Sequence, residues 1–325
     1  MKLSLVIPCY NEEDALPIAV PRLESLMRDF IARGKVEATS NVWLVDDGSK
    51  DLTWSIIESL ARRTEMFVGV KLSRNRGHQN ALLAGLMSAD GDAVVSIDAD
   101  LQDDLEAIEK MVDAYCAGYE IVYGVRIART TDTWFKRWTA LRYYGLLRLL
   151  GVEIIANHAD FRLMGRAAID ALRMHGEVNM FLRGIIPQLG YPSTCVYYDR
   201  LDRVAGESKY PLSKMIKLAV NGVTSFSAVP LRMIAVLGGC VFSGSILLML
   251  WVLGIRLFTD RAAPGWASTT LPIYALGGLQ LLCTGVLGEY VAKIYIETKG
   301  RPRFLIERLE RRGARDERHV RTAGQ

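Results

Sequence analysis

The run Val94–Asp104, VVSIDADLQDD, closes a short apolar stretch with four carboxylates, Asp98, Asp100, Asp103 and Asp104. Folding alone does not ask for such a cluster. Side chains at i and i+2 of an extended segment lie on the same side, so this spacing holds Asp98 and Asp100 together at the end of residues 93–97. Like charges held together repel unless a cation sits between them. Oxygen-only donors with no His or Cys beside them select a hard ion such as Mg2+ or Mn2+ over zinc. Few protein ligands leave room for the oxygens of a substrate, typically those of phosphate. The chemistry on offer is therefore a cation that joins the protein to a diphosphate. A bare D-x-D also fits a solvated turn. Asp103, Asp104 and Glu106 fit a plainer role as acids at a helix N-terminus.

Such a loop must be carried by a frame. Leu3–Pro8, Val42–Val45, Phe67–Leu72 and Ala93–Ile97 are short apolar, β-branched runs. Helix-like segments lie near 12–32, 52–64, 78–90 and 104–117. The alternation predicts a parallel sheet covered on both faces, with ligands beyond the C-terminal strand ends. Four polar stretches fall at those ends: Tyr10–Glu13, Asp46–Ser49, Asn75–Gly77 and Asp98–Asp100. The chain has no G-x-G and no G-x-x-x-x-G-K-[ST], so a nucleotide must be gripped in another way.

Half of the 325 residues are hydrophobic, and the net charge is +4. The charge is concentrated: residues 299–321 hold nine Lys/Arg against four acids. The five cysteines are scattered, with no C-x-x-C, which suits a reducing compartment. The opening MKLSLVIPCYNEE has too short an apolar run for a signal peptide, and the catalytic part is expected in the cytosol.

The C-terminal third changes solvent. Met233–Ile255 is a run of 23 uncharged residues, and Ala262–Gly288 is uncharged as well. The first spans about 35 Å as a helix, enough for a hydrocarbon core of ~30 Å. The second helix is expected from near Leu271–Pro272 to about Ile296. Lys209, Lys214, Lys217 and Arg232 precede the spans and Lys293, Lys299, Arg301 and Arg303 follow them, while the connecting loop is poor in charge. The positive-inside rule then places both flanks in the cytosol. The expected division is a catalytic domain over 1–210, a juxtamembrane helix over 211–230, and two spans within 231–298 joined by a loop at 257–270. A basic tail over 299–325 completes it. That tail meets anionic lipid rather than nucleic acid. Residues 134–150, aromatic and basic, read as a helix in the headgroup plane.

The motifs Val6–Glu13, Val45–Thr53, Asn75-x-Gly77-His78 and Asp98–Gln102 stand in the order seen in GT-A fold glycosyltransferases of family 2. Asp160–Met164, Phe181–Gly184 and Arg200-x-x-Arg203-x-x-Gly206–Pro211, with two spans after them, resemble the polyprenyl-phosphate glycosyltransferase branch. The resemblance covers about residues 3–300. It implies a GT-A, mostly parallel α/β sheet with interfacial and transmembrane helices. Pro8, Tyr10, Glu12 and Asp47 would hold the base and ribose of a UDP-sugar, with Asp46 in the same motif. Asp98, Asp100 and Gln102 would form the metal and diphosphate site. Arg126, Arg200, Arg203, Ser208 and Lys209 would lie near the phosphates of donor and acceptor, and Asp160 near the transferred sugar.

The chain departs from the family pattern at His158 and Gly165, where a small residue and often an acid are expected. His158 could touch the sugar, or hydrogen-bond structurally. The expected activity is an inverting, metal-dependent transfer, with glucose the first choice of sugar, to a polyprenyl phosphate in the inner membrane. Family resemblance also suggests a homo-oligomer. Two rivals are a processive polysaccharide synthase, against which the lack of Q-x-x-R-W speaks, and a silent membrane sensor of sugar nucleotides.

Overall fold

A computed structural model describes residues 1–127, 158–177, 182–199 and 266–313, with separate positions between 231 and 251. The expected interfacial helix at 134–150, the juxtamembrane stretch at 211–230, and Arg200, Arg203, Ser208 and Lys209 lie outside the described residues.

Strand β1 (Leu3–Cys9) is buried along its whole length, as a run of apolar residues in a sheet covered on both faces must be. Helix α1 (Leu16–Ala32) follows, burying Leu16, Ala19, Val20, Leu23, Met27 and Phe30 at helical spacing. The pattern repeats through β2 (Asn41–Asp46), α2 (Thr53–Arg63), β3 (Phe67–Leu72), α3 (His78–Ser88), β4 (Ala93–Ser96) and α4 (Glu106–Cys116). The expected strands and helices of this half are therefore present, with boundaries moved by a few residues. Strands β5 (Ile121–Arg126) and β6 (His158–Gly165) come next. After them stand α5 (Arg166–Arg173), α6 (Leu182–Gln188) and β7 (Ser193–Tyr198).

The eight-stranded sheet has the order β7-β5-β6-β4-β1-β2-β3-β8, where β8 is Ile306–Glu310. Pairings around β1, β2, β3 and β4 are parallel, as is β5 with β7. Strand β6 runs antiparallel between β4 and β5, and β8 runs antiparallel along β3. The sheet is thus mostly parallel, with two reversed strands that period alone did not mark.

Strand β8 changes the reading of the tail. Phe304 and Ile306 are buried, and Lys71–Glu307, Arg62–Glu310 and Arg308–Glu58 are ion pairs. Residues 304–310 are thus an edge of the sheet and not a free basic tail. The physical reason is that β3 would otherwise leave its edge unpaired, and a short, charged strand covers it.

The described residues between 231 and 251 are helical, with Met233, Val236, Leu247 and Trp251 exposed. Helix α7 (Trp266–Thr298) begins before the Leu271–Pro272 start expected for the second apolar helix, and residues 252–265 lie outside the described residues. Within α7, Leu279–Thr298 is long and apolar enough to cross a membrane, and none of it is buried.

Candidate active site

The four polar loops meet at the C-terminal edge of the parallel strands. The loops after β1 and β2 are stitched together. The Asn11 backbone N–H donates to Ser49 Oγ (3.0 Å), Glu12 N–H to Thr53 Oγ1 (2.8 Å), and Lys50 N–H to Asn11 Oδ1 (3.0 Å). Pro8 sits in β1 beside Val45, and Tyr10 projects at the strand end, 42% exposed. An exposed aromatic ring there is available to stack on a base.

Asp46 and Asp47 are both buried. Asp46 Oδ1 accepts the Ser49 N–H (3.1 Å), while Oδ2 has no hydrogen-bond partner. Burial pushes its carboxyl above the usual range. Asp47 uses both oxygens on backbone, accepting the N–H groups of Arg76 (2.7 Å) and Gly77 (2.8 Å). It therefore braces the β3–α3 loop, and that loop delivers His78 to the site.

The antiparallel pairing of β4 with β6 explains the rest. Ser96 pairs with Arg162, so continuing two residues outward brings Asp98 alongside Asp160. The Ser96 hydroxyl donates to the Asp160 carbonyl and fixes that end of the register. His78 Nε2 lies between the two acids, 3.4 Å from Asp98 Oδ1 and 3.5 Å from Asp160 Oδ2. Arg162, almost fully buried, donates from Nη2 to Asp160 Oδ1 (2.7 Å). Arg183, from α6, donates from Nε to Oδ1 (3.1 Å) and from Nη2 to Oδ2 (3.0 Å). Burial alone would raise the Asp160 carboxyl, but His78 and the two guanidinium groups hold it well below the usual carboxylate range. Asp98 behaves oppositely. Burial, with the carboxylates of Asp103, Asp160 and Asp100, outweighs His78 and pushes it up to about 6.

Asp100 Oδ1 accepts the Gln102 N–H (3.3 Å), closing a turn in which Leu101 has a φ of 45°. Asp103 is not a solvated helix-cap acid. It is 1% exposed and accepts from Tyr198 Oη and from Arg126 Nη2 (2.9 Å), while Arg126 Nε also meets Tyr198 Oη (3.1 Å). The acid loop is thereby tied to β5 and β7, and Arg126 is oriented at its rim.

Asp98, Asp100 and Gln102 fit a divalent cation by donor type. Two carboxylates and an amide oxygen are hard ligands, and the raised Asp98 marks negative charge that a cation would relieve. Among the described residues no group of three or more His, Cys, Asp or Glu is placed to hold a metal ion.

Of the expected site residues, Pro8, Tyr10, Glu12, Asp46, Asp47, Asp98, Asp100, Gln102, Arg126 and Asp160 all lie at or beside this edge. His158 opens β6 opposite Val125, and its side chain lies outside the described residues. The unusual Gly165 is at the far end of β6, where an added Cβ would collide with Glu120 Oε2. A carboxylate from β5's approach occupies the space that a side chain at 165 would fill, so that departure does not touch the site. Sequence reasoning gave no role to His78, Arg162 or Arg183. Arg162, two residues from Asp160 on one strand, carried the clearest signal.

The model for "Glycosyl transferase family 2" matches residues 4–173. An uncharacterized glycosyltransferase, YkoT, of Bacillus subtilis is 46% identical over 94% of this chain and 91% of its own length. A prophage bactoprenol glucosyl transferase homolog of Escherichia coli K12 is 38% identical over 96% of this chain and all of its own. The bactoprenol glucosyl transferase of Shigella phage SfX is 40% identical over 94% and 99%. Among solved structures, mannosyl-3-phosphoglycerate synthase from Rubrobacter xylanophilus aligns with a TM-score of 0.46 and 16% identity over 82% of this chain and 78% of that one, too distant to bear on function. The chain belongs to glycosyl transferase family 2 and is a glycosyltransferase.

Proposed function

We propose that the chain transfers glucose from UDP-glucose to a polyprenyl phosphate at the cytosolic face of the inner membrane, with inversion at the anomeric carbon. The observation that carries the substrate pair is similarity along nearly the whole chain to proteins named bactoprenol glucosyl transferase. The site is compatible with it. Tyr10, Glu12, Asp46 and Asp47 lie on the loops that would take the base and ribose. Arg126, at the rim of the acid loop, would meet the diphosphate, and Asp160, beside Asp98, would meet the transferred sugar. Asp98, Asp100 and Gln102 would hold a Mg2+ or Mn2+ ion. When bound, that ion would supply positive charge against the charge that develops on the leaving diphosphate.

A phosphate oxygen of the acceptor attacks the anomeric carbon and forms the new C–O bond. The bond to the UDP oxygen breaks and its electron pair leaves with UDP. The nucleophile is already anionic near neutral pH, since a phosphate monoester has its second pKa near ~6, so no proton need be removed. Arg126 would donate to the leaving group, and Arg200, Arg203, Ser208 and Lys209 are the residues expected near the phosphates.

The membrane assignment is supported by the unburied apolar span in α7 and by connectivity. Strand β7 ends at Tyr198 and β8 starts at Ile306 in one sheet. A chain that leaves one side and returns to it crosses an even number of times. If Leu279–Thr298 crosses, the apolar run 233–255 is the natural partner crossing.

The test is transfer in detergent with UDP-[14C]glucose, a polyprenyl phosphate and Mg2+ or Mn2+. Label should move into the organic phase, and Asp100→Ala should reduce its rate by ~10²-fold or more. Label that stays aqueous with UDP-glucose, but moves with another nucleotide sugar, would replace glucose. No transfer from any donor, with UDP still bound, would favour the silent sensor.

A further inference from the structure

Asp160 is gripped from three elements. Its strand neighbour Arg162 donates to Oδ1 from inside the sheet, 1% exposed. Arg183 reaches in from α6 and engages both oxygens at 3.1 and 3.0 Å. His78, at the start of α3, stands 3.5 Å from Oδ2 and also faces Asp98. A guanidinium fork that meets both oxygens fixes the plane of a carboxylate as well as its charge, which a point charge cannot do. Arg162 is built into the core. Arg183 comes from a short helix outside the sheet and is partly exposed, so it can be changed without emptying the core.

We propose that Arg183 is a positioning residue: its fork, set against the buried Arg162, fixes the plane of the Asp160 carboxylate and so its angle to the transferred sugar. This rests on the transfer reaction proposed above. A carboxylate fixed in this way has both oxygens committed to guanidinium donors. It orients the sugar and offsets positive charge at the anomeric carbon as the bond to UDP lengthens. The acceptor oxygen arrives deprotonated, so the displacement balances without an enzymic base.

The experiment compares full-length wild type with Arg183→Ala, Arg183→Lys, Asp160→Asn and the Arg183→Ala/Asp160→Asn double variant in detergent. In Arg183→Ala, kcat should fall by ~10–100-fold, as expected for a misplaced reacting geometry, with KM for UDP-glucose within about threefold. Arg183→Lys keeps the charge and loses the fork, so it should recover only part of kcat. Melting temperatures of the four alanine and asparagine combinations give a second readout that needs no turnover. Arg183→Ala should lower the melting temperature far less once Asp160 is already Asn. A change confined to KM, an unchanged kcat, or additive melting shifts would overturn the assignment. A wild type that transfers nothing to polyprenyl phosphate counts against the proposed function, and the melting cycle then still decides whether Arg183 holds Asp160.

Discussion

Gly48 shows how tightly the backbone of this site is set. Its φ is +67°, and a Cβ there would lie 2.6 Å from Asn75 N and 2.7 Å from Arg74 C, both backbone atoms that cannot turn aside. The β2 and β3 loops touch at this point, and next to it Asp47 takes the N–H groups of Arg76 and Gly77. Gly48→Ala would add about 1–2 kcal/mol of left-handed strain and force the loops apart as well. We expect a melting point several degrees lower and UDP affinity weakened by ~10-fold or more, read by calorimetry in detergent. A variant with native melting point and affinity would mean that the loops can part without cost. The acids of the site were legible in sequence because period two puts Asp98 and Asp100 on one side of an extended segment. The partner of Asp98 was not, because Asp160 lies 62 positions away and meets it only through the antiparallel register of β4 and β6. Arg162 stood two residues from Asp160 in the sequence, but its burial was not legible, because arginine is rarely fully buried and only the carboxylate beside it makes that position tolerable.

The elements divide in the same way. Strands β1 to β4 are apolar runs separated by amphipathic helices, and such a pattern has one architecture open to it. Strand β8, sequence IERLE, has three charged residues in five and no clean alternation, so it reads as solvated tail. It becomes a strand because β3 offers an open row of backbone groups and because Phe304 and Ile306 find the core. Phe304→Ala should therefore cost about 3–5 kcal/mol, the usual loss for a buried phenylalanine, while Phe304→Leu should cost less than about 1.5 kcal/mol. Chemical denaturation of the detergent-solubilised chain would measure both. A loss below about 1 kcal/mol for the alanine variant would show that residues 304–310 are a dispensable tail after all, and would return the segment to the lipid-facing role that its charge suggested.

At the scale of the whole molecule, the edge strand constrains topology more firmly than the apolar runs do. Length and composition say that Leu279–Thr298 can cross a bilayer, but not which way it points. Ile306 follows Thr298 by only a few residues and pairs into the same sheet as β1. Under the two crossings proposed above, α7 would be the returning span and the apolar run 233–255 the outward one. The lysines and arginines agree, being dense on both flanks and sparse between 256 and 270. A cysteine placed at Asp260 in a chain otherwise lacking cysteine should react with a membrane-impermeant maleimide in intact cells, whereas one at Gln325 should react only after lysis. Labelling of both positions from outside would contradict the return of the chain to the sheet. Labelling of neither would mean that 233–298 enters the bilayer and turns back without crossing. In that case the apolar helices anchor the enzyme from one face, and the acceptor phosphate must be reached at the headgroup level alone.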